Sequence, residues 1–492
     1  MPGTFSKANR PKRPGAYVNF DVGTVAQVIP AQGATAAILF THDWGPSNQV
    51  VRVNSFQEFQ AVYGPSDNTQ GYRAVKQAFQ GEGLPGVGGA GSVLALRVAA
   101  SAKAKATRIL QNTTPATAVT LTARYDGTYG NNLKATVQDY ASNASYSELI
   151  LKLGTVEVER YLFLDADQNG LAADINANSK WVTAAVNING VAMKADGTTI
   201  DLAFTGGNDG STLAIGDYTA AWALLEVERF AVLAHADLTD TPTVASLKAW
   251  ADGQNAIGRR FRVVIGGAAG EGASTANTRS TTQNDPVIIN LGIGTYTDAT
   301  LGSGGTALDI STAQLAPRLA GILCARGEGQ SATFARLFGL TIKVGPTQSE
   351  ILTAFDAGTT VISRDSHATA PTRIEKALTT YTTKTDATKP YLIFRNPKFV
   401  GTMMGIENDL TQIAEEKFIG KLPVNDKSRE FLVAQGKLLC DARVQTNAIQ
   451  EAYTVAIDRD PPPSDDDEFI GVAIGLRFGR TGEQIFYTVK VG

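Results

Sequence analysis

Phe230-Ala231-Val232-Leu233, a helical stretch from Thr243 to Gln254, then Phe261-Arg262-Val263-Val264-Ile265 read as strand, helix, strand. The rhythm continues outward in both directions. Upstream, Asp217 to Glu226 reads as a helix. Downstream, Val287 to Leu291 reads as a strand and Ala313 to Cys324 as a helix. A T-x-x-E capping box at Thr347 opens another helix that ends at Gly358, and Thr360 to Ile362 is a strand. Alternating units of this size predict a largely parallel sheet flanked by helices. Gly266 to Thr282 and Gly292 to Gly305 read as exposed, mobile Gly/Ser/Thr loops.

Further upstream, Ala34 to Phe40 reads as a buried strand. Ser55 and Glu58 open a short helix that stops at Gly64, Gly71 to Gln80 makes a second helix, and Val93 to Val98 is a strand. This predicts a compact α/β unit ending near Ser101. From Lys103 to Gly207 the text changes to short Thr/Val/Leu strands (AVTLTARYDG, YSELILKLG, VNINGVAMKADG, TIDLAFTGG) separated by Asp-Gly, Asn-Gly and Gly-Asn turns. Many short strands with such turns predict an antiparallel β-sandwich. Beyond Pro371, helices Asn408 to Phe418 and Asn425 to Ala442 lead into strands Tyr453 to Ile457, Ile470 to Phe478 and Gln484 to Val491.

The two ends are written as lone strands. Val18, Phe20 and Val22 alternate with Tyr17, Asn19 and Asp21. Ile485, Tyr487, Val489 and Val491 alternate with Phe486, Thr488 and Lys490. Period-2 alternation needs a sheet on one side. The partner is either distant within the chain or another copy, joined edge to edge by main-chain hydrogen bonds.

Length and composition narrow the class. At 492 residues the chain exceeds one ordinary core and predicts three or four domains. A net charge of -3 excludes a general polycation for nucleic acid, although Lys7, Arg10, Lys12 and Arg13 cluster at the start. Cys324 and Cys440 lie far apart in apolar helical contexts and read as buried free thiols in a reducing cytoplasm. No run approaches the ~18 apolar residues of a membrane span, and no signal-peptide core opens the chain.

A family resemblance runs through most of the chain. RPGAYVNFDV, then THDWGPSNQVVRVNSFQEFQAVYG (41–64), GYRAVKQAF and SVLALRV resemble the N-terminal region of contractile tail sheath proteins. FIGKLPVNDKSREFLVAQGKLLCD (418–441) and the closing EQIFYTVKV are similar to the sheath C-terminal domain. YDGTYGNNLKATV (125–137) and FTGGNDGS (204–211) match the middle more loosely. The resemblance implies an α+β multidomain chain with a donor arm (1–22), an α/β unit (23–102) and an inserted β-sandwich (103–207). A subtilisin-like α/β domain without a catalytic triad (208–370) and a tube-facing C-terminal domain with donor strand 484–491 (371–492) complete it. It implies stacked hexameric rings around a tail tube, contracting to drive the tube through a cell envelope. The partners implied are further copies of the chain, the tube protein, baseplate and terminator proteins, with no nucleic acid contacted directly, no membrane inserted and no cofactor. The particle it implies is assembled in a bacterial cytoplasm, as a phage tail or a related injection device. Strand donation falls to Tyr17, Val18, Phe20, Val22, Ile485, Phe486, Tyr487 and Val489. In the helix from Asn425, Phe431, Leu432, Leu438 and Leu439 read as a core stripe, and Lys427, Arg429, Glu430 and Lys437 as a charged rim facing the tube.

The competing reading is an α/β hydrolase with a sandwich accessory domain. His42, His235 and His367 are the only histidines. His235 follows a strand and precedes Asp237, where α/β sites lie, but no G-x-S-x-G elbow supplies a nucleophile. Gly86 to Gly91 matches G-x-G-x-x-G but precedes a strand, the reverse of a dinucleotide fingerprint, and reads as a flexible turn. Asp165 to Gly170 opens like a calcium loop, yet Asn176 stands where the bidentate acid belongs, so an Asx-rich turn is expected. Asp465-Asp466-Asp467-Glu468, after three prolines, reads as a solvated loop.

Overall fold

A computed structural model describes residues 35–83, 88–114, 116–195, 201–302, 306–364, 371–458 and 471–478. The chain begins with β1 (Thr35–Phe40), β2 (Val50–Val53), α1 (Phe56–Tyr63), α2 (Gln70–Gln80) and β3 (Ser92–Arg97). Next come β4 (Lys105–Gln111), β5 (Thr117–Asp126), β6 (Leu133–Asp139), β7 (Tyr146–Leu153), β8 (Val156–Leu164), α3 (Gln168–Asn178), β9 (Val182–Val186) and β10 (Leu202–Ala203). The alternating region holds α4 (Ile215–Leu224), β11 (Val232–His235), α5 (Thr241–Ala256), β12 (Arg262–Gly266), α6 (Ala273–Gln283) and β13 (Ile288–Gly292). It continues with β14 (Thr295–Asp298), β15 (Leu308–Ile310), α7 (Thr312–Arg326), β16 (Leu340–Val344), α8 (Gln348–Ala357), β17 (Thr359–Ser363) and β18 (Arg373–Lys376). Last are α9 (Tyr391–Phe394), α10 (Pro397–Lys417), α11 (Asp426–Val444), β19 (Thr454–Asp458) and β20 (Gly471–Gly475).

The chain is a mixed α+β protein with several sheets. Its largest sheet runs β18-β17-β13-β12-β11-β1-β3-β2. Neighbours from β17 to β3 are parallel, and β18 and β2 close the edges antiparallel. Parallel strands are covered on both faces, which is why they are written as unbroken apolar runs rather than alternations. One face packs Ile38, Phe40, Val75 and Leu319 beneath α1, α2 and α7. The other packs Leu39, Leu233, Trp222 and Leu247 beneath α4 and α5, with Met403 of α10 completing it.

Several expectations need correction. Segments 23–102 and 208–370 are not separate sheets, because β1 lies between β11 and β3. A strand buried on both faces needs partners at both edges, and β1 finds one only after the chain returns. The loops expected at 266–282 and 292–305 contain α6 and β14. Helix α6 (ASTANTRSTTQ) escapes a periodicity reading because its buried face is Ala276, Ser280 and Gln283. Helix α10 starts at Pro397 rather than Asn408, with Pro at its first turn and Asn396 as cap. The cap at Thr347 is reciprocal: Glu350 N–H donates to Thr347 Oγ1, and Thr347 N–H donates to Glu350 at 2.7 Å. Ser55 caps α1, but Glu58 accepts from Asn54 N–H instead of from Ser55.

Between β3 and β11 the chain leaves the large sheet to build two antiparallel sheets, β10-β6-β7-β8 and β4-β5-β9. Leu121, Leu133, Leu149 and Phe163 share one core with Ile175 of α3 and with Trp44 from the body. The Asp-Gly turn after β5 touches the body: Gly127 sits at φ 124°, and a Cβ there would lie 2.0 Å from Asp43 O.

Candidate functional site

Strands β19 and β20 pair antiparallel from Thr454↔Gly475 to Asp458↔Gly471. Val455 is buried, and Val472 and Ile474 pack against the same small core as Cys440 and Ile449. Helix α11 supports the pair from below. A Cβ at Gly436 would sit 3.0 Å from Val455 Cγ1, so glycine lets the helix approach closely. Among the described residues neither outer edge of this two-stranded sheet has a strand partner. A lone pair of strands is marginally stable and presents unpaired N–H and C=O groups on both sides. Chemically, with respect to the described residues, it can accept an added strand on either edge. The alternating terminal residues Tyr17, Val18, Phe20, Val22, Ile485, Phe486, Tyr487 and Val489 lie outside the described residues.

Buried arginines hold this unit to the body. Arg443 of α11 is fully buried; its Nε donates to Glu328 at 3.1 Å, just past α7, and its Nη2 donates to Asp409 of α10. Burial pushes the Glu328 carboxyl well above its ordinary range, against the pull of Arg443. Arg260 pairs with Glu407, whose carboxyl burial raises to about 7 despite that cation. Asn408 Nδ2 donates to Arg260 O at 3.0 Å. A similar clamp joins the sheet to the sandwich. Arg97, fully buried, donates to His42 O (2.7 Å), Gly45 O (2.7 Å) and Asp126 O (2.9 Å). Sequence reasoning missed all three clamps. The available signal was an arginine closing an apolar run, as in SVLALR and LLCDAR.

Helix α11 carries the four charged residues read as a rim, and the structure keeps Lys427, Glu430 and Lys437 exposed and Arg429 half-buried, 3.2 Å from Asp426. The apolar stripe is corrected in part. Phe431 (42% exposed) and Leu438 (62%) face outward, while the buried face is Ser428, Gly436, Cys440 and Arg443. Of the predicted stripe Leu439 does pack inward, with Val433 and Val444, against the core around Cys440 and Ile449. Phe431 packs on Phe418 at 5.4 Å between ring centroids, beside exposed Ile419 and Leu422.

The histidines have structural surroundings. His235 is wholly buried; its Nε2 accepts from Trp222 Nε1–H at 2.9 Å, and burial lowers its pKa to about 3. Asp237 instead accepts from Gln314 Nε2 at 3.2 Å. A ring held neutral against an indole donor lacks the free, protonatable nitrogen of a general base. His42 is also buried, stacked on Phe59 and Tyr63, with its pKa lowered by burial. His367 lies outside the described residues. In the glycine run, Gly89 and Ala90 N–H groups donate to Phe79 O and Ala78 O at the end of α2. The described part is therefore hydrogen-bonded rather than free, and it meets the carbonyl end of a helix, the wrong polarity for a phosphate. The calcium-like run also resolves into structure. Asp167 caps α3 through Gly170 N–H (2.9 Å), and Asp165 accepts from Ser147 Oγ and Met193 N–H.

Neither a family model nor a curated protein matches the chain. Solved structures do. A sheath tail protein of Desulfitobacterium hafniense aligns with TM-score 0.70 at 17% identity, covering 94% of this chain and 99% of that one. A sheath tail protein of Listeria innocua aligns with TM-score 0.67 at 18% identity, covering 91% and 96%. The helical sheath of the anti-feeding prophage in its contracted state aligns with TM-score 0.54 at 12% identity, covering 98% and 99%. Matched over nearly the full length of each of these proteins, the chain has the fold of the contractile tail sheath proteins.

Proposed function

We propose that the chain is the structural subunit of a contractile sheath, stacking as hexameric rings around a tail tube. The observation that carries the reading is the two-stranded sheet β19–β20, open at both edges among the described residues, in a chain whose fold matches sheath proteins along its length. The terminal strands around Val18 and Tyr487 fill those edges on neighbouring copies, giving an interlocked mesh. Each added strand contributes several backbone hydrogen bonds at roughly 0.5–1.5 kcal/mol and apolar side chains at roughly 1.5–3 kcal/mol apiece. Domain boundaries follow the sequence reading, except that residues 23–102 and 208–370 act as one body.

In this reading α11 faces the tube through Lys427, Arg429, Glu430 and Lys437. Baseplate and terminator proteins cap the ends, and contraction shifts the mesh between two packings. The particle is a phage tail or a related injection device. Negative-stain microscopy of the purified protein tests this: tubes or stacked rings are expected, and compact monomers under all assembly conditions overturn it.

A further inference from the structure

Residues 333–338 (TFARLF) pass from a turn at Phe334 to a single bridge at Arg336 and expose every second side chain. Ala335 and Leu337 are buried, whereas Phe334 (47% exposed), Arg336 and Phe338 (59%) point to solvent. The run extends the large sheet beyond β18. Phe334 N–H donates to Ile374 O (2.7 Å), Ile374 N–H to Ala335 O (2.9 Å) and Leu337 N–H to Thr372 O (2.8 Å). It is pinned from the other side too: Phe338 N–H donates to Glu82 O, Arg318 donates to Phe338 O at 2.7 Å, and Arg336 N–H donates to Glu82 Oε2.

This pinning holds Phe334 at φ 57°, a left-handed conformation that bulky side chains avoid. Strain of this kind persists where the surroundings over-determine it, and it collects at functional surfaces. The Arg373 guanidinium lies 4.3 Å from the Phe334 ring centre. Among the described residues no carboxylate pairs with the side chain of Arg336. Two rigid phenyl rings on either side of an unpaired guanidinium have the composition of an interface hot spot, not of a solvated surface.

The sequence holds one segment of matching chemistry. Pro461-Pro462-Pro463-Ser464-Asp465-Asp466-Asp467-Glu468-Phe469 places three prolines before the only run of four consecutive acidic residues in the chain. Prolines dock on aromatic surfaces in extended form, and carboxylates pair with arginine. We propose that the Phe334–Arg336–Phe338 face docks the 461–469 segment of a second copy of this chain. A face and its complement on one chain make a head-to-tail contact, which closes into rings or continues as a helix. The inference rests on the reading of the chain as a self-assembling subunit, and it adds a contact separate from the β19–β20 edge.

Two measurements test it. A synthetic peptide of residues 459–470, titrated against the full chain, is expected to bind and to lose at least tenfold in affinity with Arg336→Glu or Phe338→Ala. This arm needs no polymerisation, so it separates failure here from failure of the sheath reading. In assembled material, Phe338→Cys with Asp467→Cys is expected to give chain-to-chain disulfides, seen as dimer and higher bands on a non-reducing gel. Peptide affinity unchanged by both substitutions, no peptide binding, or cross-links only within one chain overturns the proposal. Unchanged thermal melting of the Arg336→Glu protein separates loss of the contact from loss of the fold.

Discussion

Replacing Arg443 by Met removes the cation between α11, α10 and the end of α7. The side chain is fully buried, and its two partners, Glu328 and Asp409, are themselves mostly covered. Breaking a buried pair from one side costs about 3–5 kcal/mol, because a charge is left without compensation. The loss should depend on pH. Burial already raises the Glu328 carboxyl, and without Arg443 only the Arg262 charge still opposes that rise. A carboxyl whose folded value is raised stabilises the fold below its unfolded value and withdraws that contribution as pH climbs through the folded one. The penalty should therefore be small near about pH 5 and larger near pH 8, changing by up to about 1.4 kcal/mol per pH unit for each proton held. Native-state hydrogen exchange of the α10 and α11 amides, corrected for intrinsic rates, measures the opening free energy of this unit. Adding Glu328→Gln and Asp409→Asn to the Met variant should recover more than half of the loss. A penalty under about 1 kcal/mol, or one equal at both pH values, refutes the clamp as drawn.

Three further outcomes are expected. Deleting residues 1–22, or ending the chain at Arg480, should leave a folded protein that forms no tubes by negative-stain microscopy; normal-length tubes from either truncation would remove strand donation. Reversing Lys427 and Arg429 to Glu should give sheath that polymerises without enclosing a tube, and tube-filled particles with unchanged salt stability would place the grip elsewhere. His235 stays neutral in the fold, with its pKa lowered to about 3, so its contribution is complete above about pH 6.5 and shrinks as pH falls, by about 2 kcal/mol at pH 5. His235→Phe should flatten that part of the pH–stability curve measured by urea unfolding, and an unaltered curve would show that His235 does not titrate as described.

Local features were legible wherever one short stretch carries its own physics. The apolar runs at 230–233 and 261–265 announced buried parallel strands, and β11 and β12 stand there. Thr347 and Glu350 announced a helix start through a reciprocal cap. The Asp-Gly turn at 126–127 announced a strand end, and β5 stops there. Helix α6 failed the same test because its packing face is small and polar, leaving no apolar period to read. Its Ser280 hydroxyl instead meets Thr359 at 2.7 Å and accepts from Asn290 Nδ2.

By itself the sequence determined most of the strands and helices that carry an apolar period, that the strands at 230–265 run parallel, and that the α/β pattern is interrupted by short antiparallel strands. These properties follow from side-chain periodicity and turn chemistry within about ten residues. The tertiary structure decided that β1 pairs with β11, that Arg97 and Arg443 are clamps, and that Phe431 and Leu438 face outward. Each of these depends on partners far along the chain. Whether an apolar residue on a helix is covered, or an arginine finds a buried carboxylate, is settled by what packs against it, and neighbouring residues carry no record of that.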